Sequence, residues 1–224
     1  MRIAVFGDSF AARQSAPQIW WQVLKTFGHE VDCYGEPGSS IGFSARLIEQ
    51  HAKNYDLAIW CVTTPGRFSI ETSQGLVHTS GRIHSDNVEV SAIGEAVESY
   101  RKYLFDWDTE NLAGKALVAY LELRFKNILV IPSFPPPIYT HPDPIGFNLY
   151  ILSEQEAKAY FPGKTLPEIY EKYHDLRPAH LTHVNNYRLA ELINQNLKPG
   201  LFQTSYENFD HPTDLLENVF ELRQ

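Results

Sequence analysis

The sequence predicts an α/β fold, a three-layer α/β/α arrangement built on a parallel sheet of about five strands. Three observations carry this. Arg2–Phe6, Asp56–Val62 and Ile128–Pro132 are short and almost wholly apolar. That is the pattern of central parallel strands covered on both faces. Between the first two lie segments with apolar residues at helical spacing, at the separation that right-handed crossovers require.

Taken in order, "RIAVF" is the first strand, with β-branched Ile3 and Val5, and Gly7 ends it. Ala16–Phe27 carries Ile19, Trp20, Val23, Leu24 and Phe27 on one helical face, and Gly28 follows where a C-terminal glycine is expected. "EVDCYG" forms a second strand and Ile41–Lys53 a second helix. Thr64–Val90 has turn residues and little period, which predicts a hairpin or an excursion over one edge of the sheet. Ile93–Phe125 is helix-rich with a break near "WDTEN"; Ile128–Pro132 is a fourth strand, and Phe147–Leu152 is a candidate fifth. A last amphipathic helix turns Leu189, Leu192 and Ile193 inward, and "HPTDLLENVFEL" reads as a short terminal helix.

At 224 residues the chain suits one domain over 1–224, with loop insertions near 64–93 and 133–175 and an extension over 200–224. Hydrophobic residues make up 43% and charged residues 21%, the balance of an ordinary globular protein. Net charge is −8 and the 19 basic residues are dispersed, so no concentrated basic surface exists for a nucleic-acid backbone. The chain enters a strand at once, without a basic region and apolar stretch, so no signal peptide is expected. No apolar run approaches bilayer length, so no membrane partner is expected either. Cys33 and Cys61 sit in strand-like segments and read as reduced, buried thiols. The expected location is cytoplasmic.

Chemistry is expected beyond the carboxyl ends of the parallel strands. Ser9 lies there, after Gly7 and Asp8, and either caps the next helix or serves as a nucleophile beside that helix's N–H groups. A serine nucleophile needs a base. Of nine histidines, His29, His51, His78, His84, His141 and His174 fall in loop-like or surface stretches, whereas His180 stands at the mouth of the last helix. His180 and His183 are one turn apart, but no HExxH or compact Cys/His set accompanies them, so no metal is expected. No Gly-rich loop has phosphate-cradling spacing, so no cofactor is expected. Trp20, Trp21 and Trp60 fit core packing, and "PSFPPPIYTHPDP" a rigid loop bordering the pocket.

"FGDSF" resembles the first motif of the SGNH, or GDSL-like, hydrolases. "CYGEPGSSI" is similar to the second motif, "YDLAIWCV" to the strand leading into the third, and "HLTHVNNYRLAELI" to the last. The four features fall in the family's order across nearly the whole chain. The resemblance implies a flavodoxin-like α/β/α fold, Ser9 as nucleophile, His180 as base and the Gly38 N–H in the oxyanion hole beside that of Ser9. It also implies an ester substrate: an O-acetyl or short acyl group on a carbohydrate or small molecule.

Two departures stand out. The family's Gly-x-Asn-Asp motif is here "VTTPGRF", with Thr63 at the glycine and Pro65 at the asparagine. Proline offers no donor, so Thr64, then Arg67 or a backbone N–H, is the expected substitute. The family's aspartate three residues before the histidine is here Arg177, a cation that cannot accept an imidazole N–H. Asp175 or a backbone carbonyl is the expected orienter, giving a Ser–His dyad or altered triad. The pocket candidates are thus Asp8, Arg67 and Arg177 around Ser9, Gly38, Thr64 and His180. Two rivals stand beside the esterase: a non-catalytic binding module on the same fold, and an acyltransferase using the same serine.

Overall fold

The computed structural model describes residues 1–12, 19–73, 75–79, 88–133, 181, 183–202, 204 and 209. Five parallel strands form the main sheet: β1 (Arg2–Gly7), β2 (Glu30–Cys33), β3 (Leu57–Val62), β6 (Ile128–Pro132) and β7 (Gly200–Leu201), in the order β2-β1-β3-β6-β7. Five helices accompany them among the described residues: α1 (Trp20–Thr26), α2 (Ile41–His51), α3 (Val88–Tyr103), α4 (Trp107–Arg124) and α5 (His183–Gln195). A separate antiparallel hairpin, β4 (Phe68–Thr72) and β5 (Gly75–Thr79), leaves the end of β3.

The period of two along a strand sorts the core into two layers. Ile3 and Val5 of β1, Leu57, Ile59 and Cys61 of β3, and Leu129 and Ile131 of β6 face one cluster with Trp20, Leu24, Leu189 and Ile193. Ala4, Phe6, Ala58, Trp60, Val62, Ile128 and Val130 face the other, with Ile48 of α2 and Val118 and Leu121 of α4. So α1 and α5 cover one face, α2 and α4 the other, and the fold is the flavodoxin-like α/β/α arrangement. Side chains such as Ile3, Ile59 and Ile131 are fully buried. Each contributes about 1.5–3 kcal/mol through burial, which holds the three central strands in place.

Several sequence expectations need adjustment. The first helix begins at Trp20 rather than Ala16. Its first N–H is capped from across the fold, by donation from the Trp20 backbone to Asn186 Oδ1 at 3.0 Å. The fifth strand of the described sheet is Gly200–Leu201, which pairs with β6 at Leu129 and Val130. Phe147–Leu152 lies outside the described residues, as does the terminal helix expected in "HPTDLLENVFEL". The excursion after β3 is a hairpin, and α3 starts at Val88, earlier than the expected Ile93. Cys61 is buried, but Cys33 is only partly so, because β2 is an edge strand. Neither cysteine forms a disulfide.

Candidate active site

In this strand order the chain leaves β1 toward β2 on one side and returns to β3 on the other. The switch point therefore lies at the carboxyl ends of β1 and β3, where open α/β sheets bind ligands. Ser9 occupies it, two residues beyond the last residue of β1.

The loop after β1 is a tight turn. The backbone N–H groups of Ala11 and Ala12 donate to the Asp8 carbonyl at 2.9 and 2.7 Å, with Ser9 and Phe10 between. Phe10 N–H donates to Asp8 Oδ1 at 3.1 Å. Trp20 Nε1–H donates to the Phe10 carbonyl at 2.7 Å and so fastens this turn to α1. Gly7 is required here: its φ is 142°, and a Cβ on it would stand 2.6 Å from the Cys61 carbonyl oxygen.

The loop after β2 comes up against this turn. Ser39 N–H donates to the Glu36 carbonyl at 3.1 Å across Pro37-Gly38, and Gly38 has φ 74°. Proline then glycine at the two central positions, with positive φ at the second, is a type II turn. The turn is pinned to β1 because Glu36 N–H and Ser39 Oγ–H both donate to the Gly7 carbonyl, at 3.0 and 3.1 Å. Gly35 permits the contact, since a Cβ there would lie 2.6 Å from the Ala11 carbonyl carbon. Cys33 Sγ–H also donates to the Ala11 carbonyl, at 2.9 Å.

The loop after β3 completes the cluster. Thr63 Oγ1–H donates to Asp8 Oδ2 at 2.9 Å, and Arg67 Nη1–H donates to the same oxygen at 2.5 Å. Asp8 is fully buried and the Arg67 side chain is only 16% exposed. This is a desolvated ion pair, strong only while both partners are present. Pro65-Gly66 repeats the Pro-Gly device, with φ 78° at Gly66.

The placement of the expected site residues follows. Ser9 and Gly38 sit on neighbouring loops, both fastened to Gly7. Thr64 is half-buried in the loop after β3, next to Thr63. One expectation is corrected. Ser9 does not cap α1, which begins eleven residues later at Trp20, so that helix lends Ser9 no N-terminus. Arg67 donates through Nη1 to the Asp8 carboxylate, so that nitrogen holds the loop. His180, Asp175 and Arg177 lie outside the described residues. Leu181, the neighbour of His180, is buried in the cluster that contains Phe10 and Ala11.

Sequence reasoning missed one constellation. His78, read there as a loop or surface residue, is half-buried, and its Nδ1 lies 2.8 Å from Ser69 Oγ. Ser69 Oγ also accepts from the Ser40 backbone N–H at 2.9 Å. The signal was the pair of short runs flanking Ser73–Gly75, whose pairing sets Ser69 opposite His78. Burial holds His78 below the usual histidine pKa, with the Glu36 carboxylate pulling the other way. Burial, helped by the charge of Asp8, pushes the Cys61 thiol far up, so that it stays protonated and is no rival nucleophile. Among the described residues no three His, Cys, Asp or Glu side chains gather as a metal site. No helix among them is long and apolar enough to cross a membrane.

Compared with models of known protein families and with curated protein sequences, the chain matches none.

Proposed function

We propose that this chain is a serine esterase of the SGNH type, acting in the cytoplasm on an O-acetyl or short acyl ester of a carbohydrate or small molecule. Ser9 Oγ attacks the acyl carbon while His180 takes its proton. The acyl-enzyme is then released by water activated by the same histidine. The N–H groups of Ser9 and Gly38 hold the oxyanion, with the Thr64 hydroxyl as third donor in place of the missing asparagine. Asp175 or a backbone carbonyl orients the imidazole.

The observation that carries this reading is the double hydrogen bond to the Gly7 carbonyl. It fixes the positive-φ Gly38 turn to the residue two before Ser9, at the switch point of the sheet. A fixed donor beside a fixed nucleophile is what preorganised oxyanion stabilisation needs.

A second reading, a non-catalytic ligand-binding module, draws on the Asp8–Arg67 pair. It occupies the region where the family supplies an asparagine donor. An acyltransferase would use the same serine and differ only in the acceptor that enters. Turnover of p-nitrophenyl acetate by the wild-type chain and by Ser9→Ala tests the proposal. The expected result is hydrolysis lost in the variant with thermal stability intact; equal activity in both proteins rules the esterase out.

A further inference from the structure

The hairpin β4–β5 reaches the Gly38 loop through a continuous hydrogen-bond chain. Ser69 and His78 are direct cross-strand partners. Ser69 Oγ accepts the Ser40 backbone N–H at 2.9 Å and lies 2.8 Å from His78 Nδ1. Ser40 begins α2, where its own Oγ accepts from the Phe43 N–H at 3.2 Å. Its neighbour Ser39 bonds the Gly7 carbonyl. The Phe43 ring meets the His78 ring edge-on at 4.9 Å and limits how the imidazole turns.

A hydroxyl has one proton to give. With Ser69 Oγ accepting from Ser40, its proton is best placed on an unprotonated Nδ1, and the chain runs Ser40 N–H to Ser69 O–H to His78. When His78 becomes doubly protonated, Nδ1–H must donate to Ser69 Oγ. The serine proton then loses its acceptor, and Oγ must turn to meet both N–H donors with its two lone pairs.

We propose that His78 is a positioning residue: in its neutral form it holds Ser69 as acceptor for the Ser40 amide, and so sets the Gly38 turn against Gly7. Protonation of His78 loosens that turn and slows turnover. The effect on turnover rests on the reading above that the Gly38 N–H serves the oxyanion. The charged group shown to act on His78 is Glu36 from the loop after β2; Glu71 lies on the same face of β4, and Arg46 of α2 stands over the Phe43 ring that meets His78. The Arg46 guanidinium stands 5.6 Å from the Phe43 ring centroid.

Solution NMR of the full chain without substrate tests the coupling directly. The His78 ring and the Ser40 amide are expected to titrate with one midpoint, below the ordinary histidine value of about 6.5. In Ser69→Ala, His78 still titrates and the Ser40 amide no longer follows. His78→Ala is expected to lower kcat about tenfold with KM unchanged, since small misplacements of positioned groups cost rate. His78→Asn, whose Oδ1 takes the place of Nδ1 and does not titrate, restores kcat and removes the Ser40 titration. A Ser40 amide indifferent to His78, or equally responsive in Ser69→Ala, overturns the coupling. Equal kcat in His78→Ala and wild type overturns the positioning role. Because the titration is read without substrate, its failure is distinct from failure of the esterase reading. The latter would appear as an intact coupling in a chain that hydrolyses no ester.

Discussion

Asp8 is the residue on which the site's loops depend. Its carbonyl closes the Ser9 turn, one carboxylate oxygen holds Phe10, and the other holds Thr63 and Arg67. Removing Arg67 leaves a fully buried carboxylate without its cation. Arg67→Ala is therefore expected to cost about 3 kcal/mol in urea unfolding, while Asp8→Asn combined with Arg67→Ala costs less than the sum of the two single changes. Additive costs would show that the pair is not coupled. His78 gives a second residue-scale prediction. Its folded pKa is lowered, so the unfolded chain binds the proton more readily, and stability falls as pH drops through about 6.5 toward the folded value. Melting temperatures of wild type and His78→Asn between pH 7.5 and about 5 should diverge, with the variant losing less. Parallel curves would contradict this. None of these partnerships is visible in the sequence: Asp8 and Arg67 are 59 positions apart, and only the folded loops bring them together.

At the scale of elements, the glycines between strands decide how closely the loops approach. "EPGSS" and "TPGRF" are legible as Pro-Gly turns, and both glycines have positive φ. Gly35 is less legible, because what it spares is a clash with the Ala11 backbone rather than a strained dihedral. Gly35→Ala is expected to destabilise by about 1–3 kcal/mol, the range for overpacking, and to lower any turnover by the proposed esterase site by parting the Ser9 and Gly38 loops. Wild-type stability in that variant would mean that the loops have room to separate. The strands β1, β3 and β6 were readable because both faces are apolar, and α5 because Leu189, Leu192 and Ile193 repeat at helical spacing. The two-residue β7 follows Lys198-Pro199 and has no apolar run of its own, so only its partner strand defines it. The start of α1 was misread because Asn186 caps it from 166 positions away. The N-cap itself is Ile19, whose side chain cannot accept a hydrogen bond, and the local contact is Gln22 Oε1 accepting from the Ile19 N–H at 3.4 Å.

For the molecule as a whole, the order β2-β1-β3-β6-β7 converts a sequence pattern into a location for chemistry. Two apolar layers share the same three central strands, so damage to one layer should be felt by the other. Ile131→Ala, which empties a fully buried position at the end of β6, is expected to cost about 2–5 kcal/mol in a single cooperative transition seen alike by fluorescence and circular dichroism. Two separate transitions would mean that the layers unfold apart. The sequence carried the parallel sheet and the position of Ser9 just past the carboxyl end of its first strand. It offered the hairpin as one expectation for Thr64–Val90 but not the register that sets Ser69 against His78, because strands polar on both faces specify register weakly.

The central claim is that Ser9 is an activated nucleophile. Treating the full chain with a fluorophosphonate probe, then mapping the modified peptide by mass spectrometry, tests it most directly. The account predicts one covalent adduct, on Ser9, absent from Ser9→Ala and undiminished in Cys61→Ala. No adduct at high probe concentration, or an adduct on another serine such as Ser69 with Ser9 unmodified, would contradict it.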